Sequence, residues 1–424
     1  MKDTYDITII GAGPAGLLAA GRAAMLGAKV VLLEKMEKPA RKLRITGKGR
    51  CNITNMKPLD DYLKEISPEP RFLRQAFGAF FSQNIVDLLN EYGVTTKVER
   101  GQRVFPVSEK AWDVAEALIK WVKSYGVEII CHSQVESITI EEQAVKGVTV
   151  RNTKSGQVDT IRCKSVVIST GGKSYPATGS TGDGYIFAER SGHTITSLYP
   201  SLVGIETKTA YKNAVGLGLR NISVTLWIDG KKNRSEFGEA EFTEYGLDGP
   251  TILRLSRQII IAINDGKKVE LSIDLKPALD FQKLEGRLQR EIVELEKKDF
   301  TYLLKQLVPS QLVEPFIDIL SIKSNKPVNQ INSNERRKLL SLLKDLRFEV
   351  TGYRGWDEAI VTAGGVSIKE INPKTMESKI VSNLHFAGEL IDVDGNTGGY
   401  NLQIAFSTGW LVGEATARKI LETS

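Results

Sequence analysis

The stretch DITIIGAGPAGLLAAGRAAMLGAKVVLLE, Asp6 to Glu34, runs from an apolar segment through a glycine turn, a small-residue helical segment and a second apolar segment to an acid. That order is a nucleotide-binding βαβ unit. Gly11 permits the tight turn out of the first strand, and Gly13 lacks the Cβ that would hold a pyrophosphate away from the backbone. Gly16 lets the helix lie close on the sheet. The helix from about Pro14 points its unpaired N–H groups and positive dipole end at phosphates, and Glu34 ends the second strand where a ribose diol can be hydrogen-bonded. An acid there repels a 2′-phosphate, which points to FAD or NAD over NADP. This unit alone leaves the two open.

The 424-residue chain is 41% hydrophobic and 25% charged, an ordinary globular composition with room for two or three domains. No uncharged run reaches the roughly 18 apolar residues of a membrane helix. Asp3 and Asp6 oppose a signal-peptide reading of the first apolar stretch, so a cytoplasmic location is expected. Cys51, Cys131 and Cys163 form no CxxC, and His132, His193 and His385 lack ligand spacing; neither a metal site nor a redox dithiol is expected. The net charge of +6 is modest, but residues 276–347 hold 14 Lys/Arg against 10 Asp/Glu, including Arg336, Arg337 and Lys338. That face suits either solvent or a polyanion.

Apolar periodicity predicts helices over Arg71 to Tyr92 and Trp112 to Val122, then strands over 127–130, 135–140, 144–151 and 160–169. Alternation from Thr196 to Ile273 with few helical signals reads as a β-rich domain. Helical spacing of Leu279, Leu284, Leu288, Ile292, Leu303 and Leu307 reads as a helical insert interrupted at Pro327. A short strand at Leu384 to Gly388 and a helix from about Asn401 to Glu422 close the chain. The expected domains are an α/β Rossmann-like FAD-binding domain split between 1–195 and 348–424, a β-rich insert at 196–276 and the helical insert at 277–347.

The segment AGELIDVDGNTGGYNLQIAFSTGWLVGEATA, Ala387 to Ala417, repeats the opening logic of strand, glycine, acid, glycine turn and helix. An extended FAD needs a second element for its ribityl and flavin end, whereas NAD does not. Glu389 and Asp392 can accept from ribityl hydroxyls, Gly398 and Gly399 permit close approach to the ring, and the final helix would aim its positive end at the flavin. The ligand is therefore read as FAD. No second GxGxxG unit for NAD(P) is present.

Together with GAGPAG at 11–16, RKL at 41–43, TGKGRCNITN at 46–55, TGGKSYPATGSTGDG at 170–184 and TAGGV at 362–366, this segment resembles the bacterial YhiN/BaiN-like, aminoacetone-oxidase-like flavoproteins over essentially the whole chain. The resemblance implies a glutathione-reductase-type fold with an inserted β-barrel-like domain and a helical subdomain. It also implies FAD contacts at Gly11, Gly13, Gly16, Glu34, Lys42, Gly49, Arg50, Cys51, Asn52, Val135 (by its backbone, to adenine), Thr170, Gly171, Gly172, Gly388, Glu389, Gly399, Tyr400 and Asn401.

Two departures stand out. Lys48 interrupts what is an all-glycine run in many relatives, and Glu244 follows Phe242-Thr243 where many carry a histidine. Arg50, Asn52 and Tyr400 are the catalytic candidates, with Glu244 also on the substrate side and Cys51 as a candidate proton donor. The expected activity is FAD-dependent hydride transfer to an unidentified substrate, with reduction of a conjugated C=C bond foremost. Uridine reduction in ribosomal RNA, amine oxidation and a non-catalytic flavin-binding role are the alternatives. The partners expected are a small molecule or ribosomal RNA, with NAD(P)H as a candidate electron donor.

Overall fold

The computed structural model describes residues 4–422, and the chain divides into two compact units, residues 1–200 with 359–424 and residues 201–358. In the first, β1 (Thr4–Ile10), α1 (Pro14–Met25) and β2 (Val30–Leu33) form the opening unit, followed by α2 (Ala111–Ser124) and β3 (Glu128–Ile130). Next come β4 (Ser133–Glu141), β5 (Ala144–Asn152) and β6 (Val158–Ile168); β7 (Leu384–Phe386) and α3 (Tyr400–Glu422) complete the set from the far end of the chain.

Strands β3, β2, β1, β6 and β7 pair in that order, all parallel. The two halves of β6 have different neighbours. Val158–Arg162 pairs antiparallel with β5, and Val166–Ile168 pairs parallel with β7. Ile7, Ile9, Val31, Leu32, Val166 and Val167 are all buried, as expected of parallel strands covered on both faces.

Small residues set the helix packing around α1. A Cβ on Gly409 would stand 2.2 Å from Ala15 O, and one on Gly413 would stand 2.4 Å from Ala19 O. These two glycines, one turn apart, let α3 lie against the backbone of α1. On Gly21 a Cβ would meet the Trp121 ring of α2 at 2.4 Å. The helix expected over Arg71 to Tyr92 is instead three pieces, Pro70–Leu73, Arg74–Ala79 and Ser82–Glu91. The break falls at Phe80 and Phe81, which are both extended.

In the second unit, six antiparallel strands, Ile205–Thr207, Gly246–Asp248, Lys231–Phe242, Gly218–Ile228, Val269–Asp274 and Leu346–Tyr353, close a barrel in that order. The last of these runs past residue 348, so 348–353 belong to the barrel, whereas the sequence assigns them to the FAD-binding domain. A 15-residue helix, Pro250–Asn264, lies within the stretch read as β-rich. Its run Ile259-Ile260-Ile261 looks strand-like, but Gly249-Pro250 starts a helix whose buried face is Ile252, Leu255, Ile259 and Ala262. The helices Phe281–Glu294, Phe300–Leu307, Val313–Leu320 and Ser333–Lys344 follow. Their Leu284, Leu303, Phe316 and Leu339 join barrel residues Val224 and Leu271 in one hydrophobic core. No described helix is long and apolar enough to cross a membrane.

Candidate functional site

The turn between β1 and α1 shows a division of labour among its glycines. Gly11 has φ +97° and a Cβ there would meet Ser169 O at 2.7 Å; on Gly16 it would meet Gly11 O at 2.0 Å. Both are closed off by backbone. Gly13 is different: its Cβ would meet nothing within 4 Å. It is the N-cap of α1, makes no side-chain capping bond, and precedes Pro14 at the first helical position. The result is an uncapped helix N-terminus facing open space, the arrangement that accepts phosphate.

Beside this turn, the Glu34 carboxylate accepts from Ala12 N–H through Oε2 and from Met36 N–H through Oε1, both at 2.9 Å. Burial pushes its carboxyl above the usual carboxylate range, and these two N–H groups only partly offset that. Ser133 N–H donates to Glu34 O at 2.8 Å, which brings β4, and hence buried Val135, alongside the acid.

A second group gathers four chain segments. Lys42 Nζ donates to Glu389 Oε2 at 2.8 Å and to Ser174 Oγ at 2.7 Å, while Ser174 Oγ and Thr362 N–H donate to Glu389 Oε1, each at 2.8 Å. Thr362 Oγ1 in turn accepts from the N–H groups of Lys173 and Ser174. Burial alone would raise the Glu389 carboxyl; the Lys42 ammonium and these donors overcome it and hold the carboxyl below its ordinary range. Gly172 sits tightly here, since a Cβ would stand 2.3 Å from Thr362 Oγ1. Gly171, at φ +74°, would bring one within 2.9 Å of Ser180 Oγ. Gly388 has φ +77° and its Cβ would meet Ala15 Cβ at 2.8 Å, placing the C-terminal segment on the first turn of α1.

The Arg50 to Asn55 loop meets the start of α3. A Cβ on Gly399, which has φ +96°, would lie 2.5 Å from the Thr54 carbonyl, and Thr54 Oγ1 donates to Gln403 Oε1 at 2.7 Å. In the amide orientation that satisfies both ends, Asn52 donates to Thr54 O at 3.2 Å and accepts from Gly399 N–H at 3.1 Å. Asn401 closes its own turn, accepting from Gly395 N–H and donating to Gly395 O. Tyr400 is buried, its ring edge-on to Tyr62 at 4.6 Å.

Arg50 does not turn toward the glycine turns. Its guanidinium is bound by Glu99 and Glu109 and stacks 4.3 Å from the Phe105 ring centroid. Those two carboxylates raise its pKa, and Arg50 and Lys97 together hold Glu109 down at about 2. Cys51 is fully buried, and desolvation pushes its thiol up to about 12. Gly49, at φ +85°, faces open space, and Glu244 is exposed.

Ser174, Thr362, Thr54, Gln403 and Ser407 all lie within the motifs of the sequence, but none of them carries an expected role there. Gln403 and Ser407 are buried polar residues one turn apart on α3, and Gln403 Nε2 donates to Ser407 Oγ at 2.9 Å. That spacing was available as a signal.

Two further atoms test the fit of the expected cofactor. Among the described residues, Thr170 Oγ1 and the Tyr185 hydroxyl are buried without a hydrogen-bond partner. Each such group costs about 1–3 kcal/mol if left unsatisfied. With the open N-terminus of α1, they are the features of a site shaped to receive a polar, phosphate-bearing ligand, and the residues fit FAD.

A family model described as the HI0933-like protein Rossmann domain matches residues 5–415. The chain belongs to this HI0933-like family. It is 30% identical over 97% of its length to a 3-dehydro-bile acid delta(4,6)-reductase of Clostridium scindens, covering 99% of that protein. It is equally 30% identical, over 99% of its length and all of the other chain, to a ribosomal RNA dihydrouridine synthase of Haemophilus influenzae. Among solved structures, 3-ketosteroid delta1-dehydrogenase of Sterolibacterium denitrificans shares the fold, with a TM-score of 0.55 and 14% identity over 99% of this chain and 100% of that one. This HI0933-like protein is an FAD-dependent oxidoreductase with a Rossmann-type cofactor domain.

Proposed function

We propose that the protein reduces a C=C bond conjugated to a carbonyl. One observation carries this reading: relatives matched along essentially their full length have names describing different substrates and one chemistry. The delta(4,6) bonds of a 3-dehydro bile acid extend from a 3-oxo group, and dihydrouridine is uridine with its 5,6 bond, conjugated to the C4 carbonyl, saturated. In either case a hydride adds to the end of the C=C bond remote from the carbonyl, the conjugated carbonyl takes up the resulting charge, and a proton adds to the other carbon of that bond. FAD, when bound and reduced, would supply the hydride, which carries both electrons of the reduction. A reduced nicotinamide is the donor proposed to restore it.

In this reading, the N-terminus of α1 with Gly11 and Gly13 takes the pyrophosphate and Glu34 the ribose. The Val135 backbone takes adenine, and the Thr170 hydroxyl with the backbone of Gly171, Gly172, Gly388 and Gly399, whose Cβ positions are filled by neighbouring protein atoms, lines the rest of the cofactor. Lys42 and Glu389 hold the walls of this cleft through Ser174 and Thr362. Arg50, Asn52, Tyr400 and Asn401 act as positioning residues: Asn52 braces the Arg50 to Asn55 loop against Gly399 of the TGGYN turn, while Arg50 is held by Glu99 and Glu109, Tyr400 packs on Tyr62 and Asn401 closes its own turn on Gly395. Buried Cys51 packs behind the loop and keeps its proton.

The test is an anaerobic half-reaction. Chemically reduced holoenzyme is mixed with a 4-en-3-one steroid and, separately, with a uridine oligonucleotide, and oxidised-flavin absorbance is followed. Return of the absorbance with a saturated product supports the reading. Return only on admitting air, with peroxide release and amine turnover, would replace it with an oxidase.

A further inference from the structure

Three residues of the Arg50 to Asn55 loop grip the turn that opens α3, each through a different group. Asn52 accepts from Gly399 N–H at 3.1 Å, Asn55 Nδ2 donates to Gly398 O at 3.1 Å, and Thr54 Oγ1 donates to Gln403 Oε1 at 2.7 Å. The last of these reaches into the helix itself. Gln403 is completely buried in the first turn of α3, and its amide has further partners. Nε2 donates to Phe80 O at 3.3 Å and to Ser407 Oγ at 2.9 Å, while Ser407 Oγ donates to Phe80 O at 2.6 Å.

A carbonyl can only accept, so Phe80 O draws Nε2 toward itself and leaves Oε1 for the Thr54 hydroxyl. Both donors and the acceptor of the amide are then used, and a buried network satisfied in this way holds one geometry. Its surroundings are apolar. Phe80 stacks on Trp410 with ring centroids 4.5 Å apart, and Tyr62 stands edge-on to Phe77, Phe81 and Tyr400. A methionine would fill much the same volume without needing partners. What the amide adds is direction: it ties the start of α3 to the loop through Thr54 and to the extended break at Phe80 through that residue's carbonyl.

The first turn of a helix carries its positive end and N–H groups without intrahelical partners. A flavin gains negative charge on reduction, and a positive helix end held close to it favours the reduced form. We propose that Gln403 is a positioning residue: through Thr54 it fixes the first turn of α3 against the loop that lines the flavin end of FAD, and so raises the reduction potential of the bound cofactor. Ser407, one turn further along α3, bonds Phe80 and Gln403 and anchors the amide from the side away from Thr54.

The experiment uses FAD-loaded protein. The midpoint potential of bound FAD is measured anaerobically against a reference dye, alongside the melting midpoint and the affinity of the apoprotein for FAD. No acceptor substrate enters these measurements, so their outcome is independent of the C=C reading. Thr54→Val removes the hydroxyl and keeps the branched shape. It should lower the reduced-to-oxidised ratio about threefold to fivefold, which is about 15–20 mV for a two-electron couple. Gln403→Met should lower it similarly, and Thr54→Ser should restore the wild-type potential. Ser407→Ala should lower the melting midpoint and leave the potential unchanged. Wild-type potentials in both Thr54→Val and Gln403→Met overturn the proposal. So does a shift in Ser407→Ala equal to that in Thr54→Val, which would make the network a matter of stability alone. If Thr54→Val sheds its FAD, Gln403→Met decides. If both do, FAD binding kept by Thr54→Ser and Ser407→Ala supports the role, and its loss in all four variants overturns it.

Discussion

Lys42 Nζ donates to Glu389 Oε2 at 2.8 Å across 347 positions of sequence, and each partner also bonds Ser174. The pair therefore links the segment after β2, the TGGKS loop and the C-terminal AGEL segment.

Taking away one charge strands the other. With both side chains about 20% exposed, Lys42→Met should cost about 2–3 kcal/mol, below the range for a fully buried pair. Lys42→Met with Glu389→Gln should recover part of it. Because the Glu389 carboxyl is held below its ordinary range, its contribution is complete above that range and is lost as pH falls through the depressed value. Lys42→Met should shift that acid loss to higher pH. Urea unfolding of the apoprotein at several pH values measures both effects.

Gly13 and Gly16 should fail differently. Gly13 has φ −78° and open space around its would-be Cβ, so Gly13→Val should leave apoprotein stability within about 0.5 kcal/mol while abolishing the yellow colour. Gly16→Ala places a Cβ 2.0 Å from Gly11 O, so it should cost about 1–3 kcal/mol or more of stability. A Gly13→Val protein that purifies with stoichiometric FAD would remove the pyrophosphate assignment.

His385 on β7 is 1% exposed, and burial drives its pKa from 6.5 down to about 4 against the opposing charge of Glu377. The unfolded chain binds this proton near pH 6.5, but the folded chain does not until about pH 4. Its contribution to stability should thus be complete above pH 6.5 and lost on descending to about 4, with a slope of at most about 1.4 kcal/mol per pH unit. His385→Leu should flatten that part of the stability profile.

Thiol labelling should follow burial. Cys51 and Cys163 are buried, with thiols pushed up to about 12 and about 11, whereas Cys131 is partly exposed. Iodoacetamide on native protein at neutral pH should mark Cys131 first, read by peptide mass spectrometry. Early labelling of Cys51 would contradict the closed loop.

Legibility varied with the range of the forces involved. The glycine turn at 11–16 and the helix after it were readable because turn geometry, capping and close approach depend on residues a few positions apart. The helix Pro250–Asn264 was hidden by its β-branched run, where packing against the barrel overrides local propensity. The resemblance implies an FAD contact and a catalytic role for Arg50, but Glu99 and Glu109 engage its guanidinium. No spacing rule predicts that partnership.

From residue order alone came the dinucleotide turn, the acid at its second strand and the need for a second FAD-binding segment, since each is written in the side chains and glycines of one short stretch. Folding alone decided that Glu389 answers Lys42, that Asn52 braces Gly399, and that Gly13 is the glycine left facing open space. Those outcomes depend on which surfaces pack and which charges lose water together, and such quantities exist only once distant segments share one core.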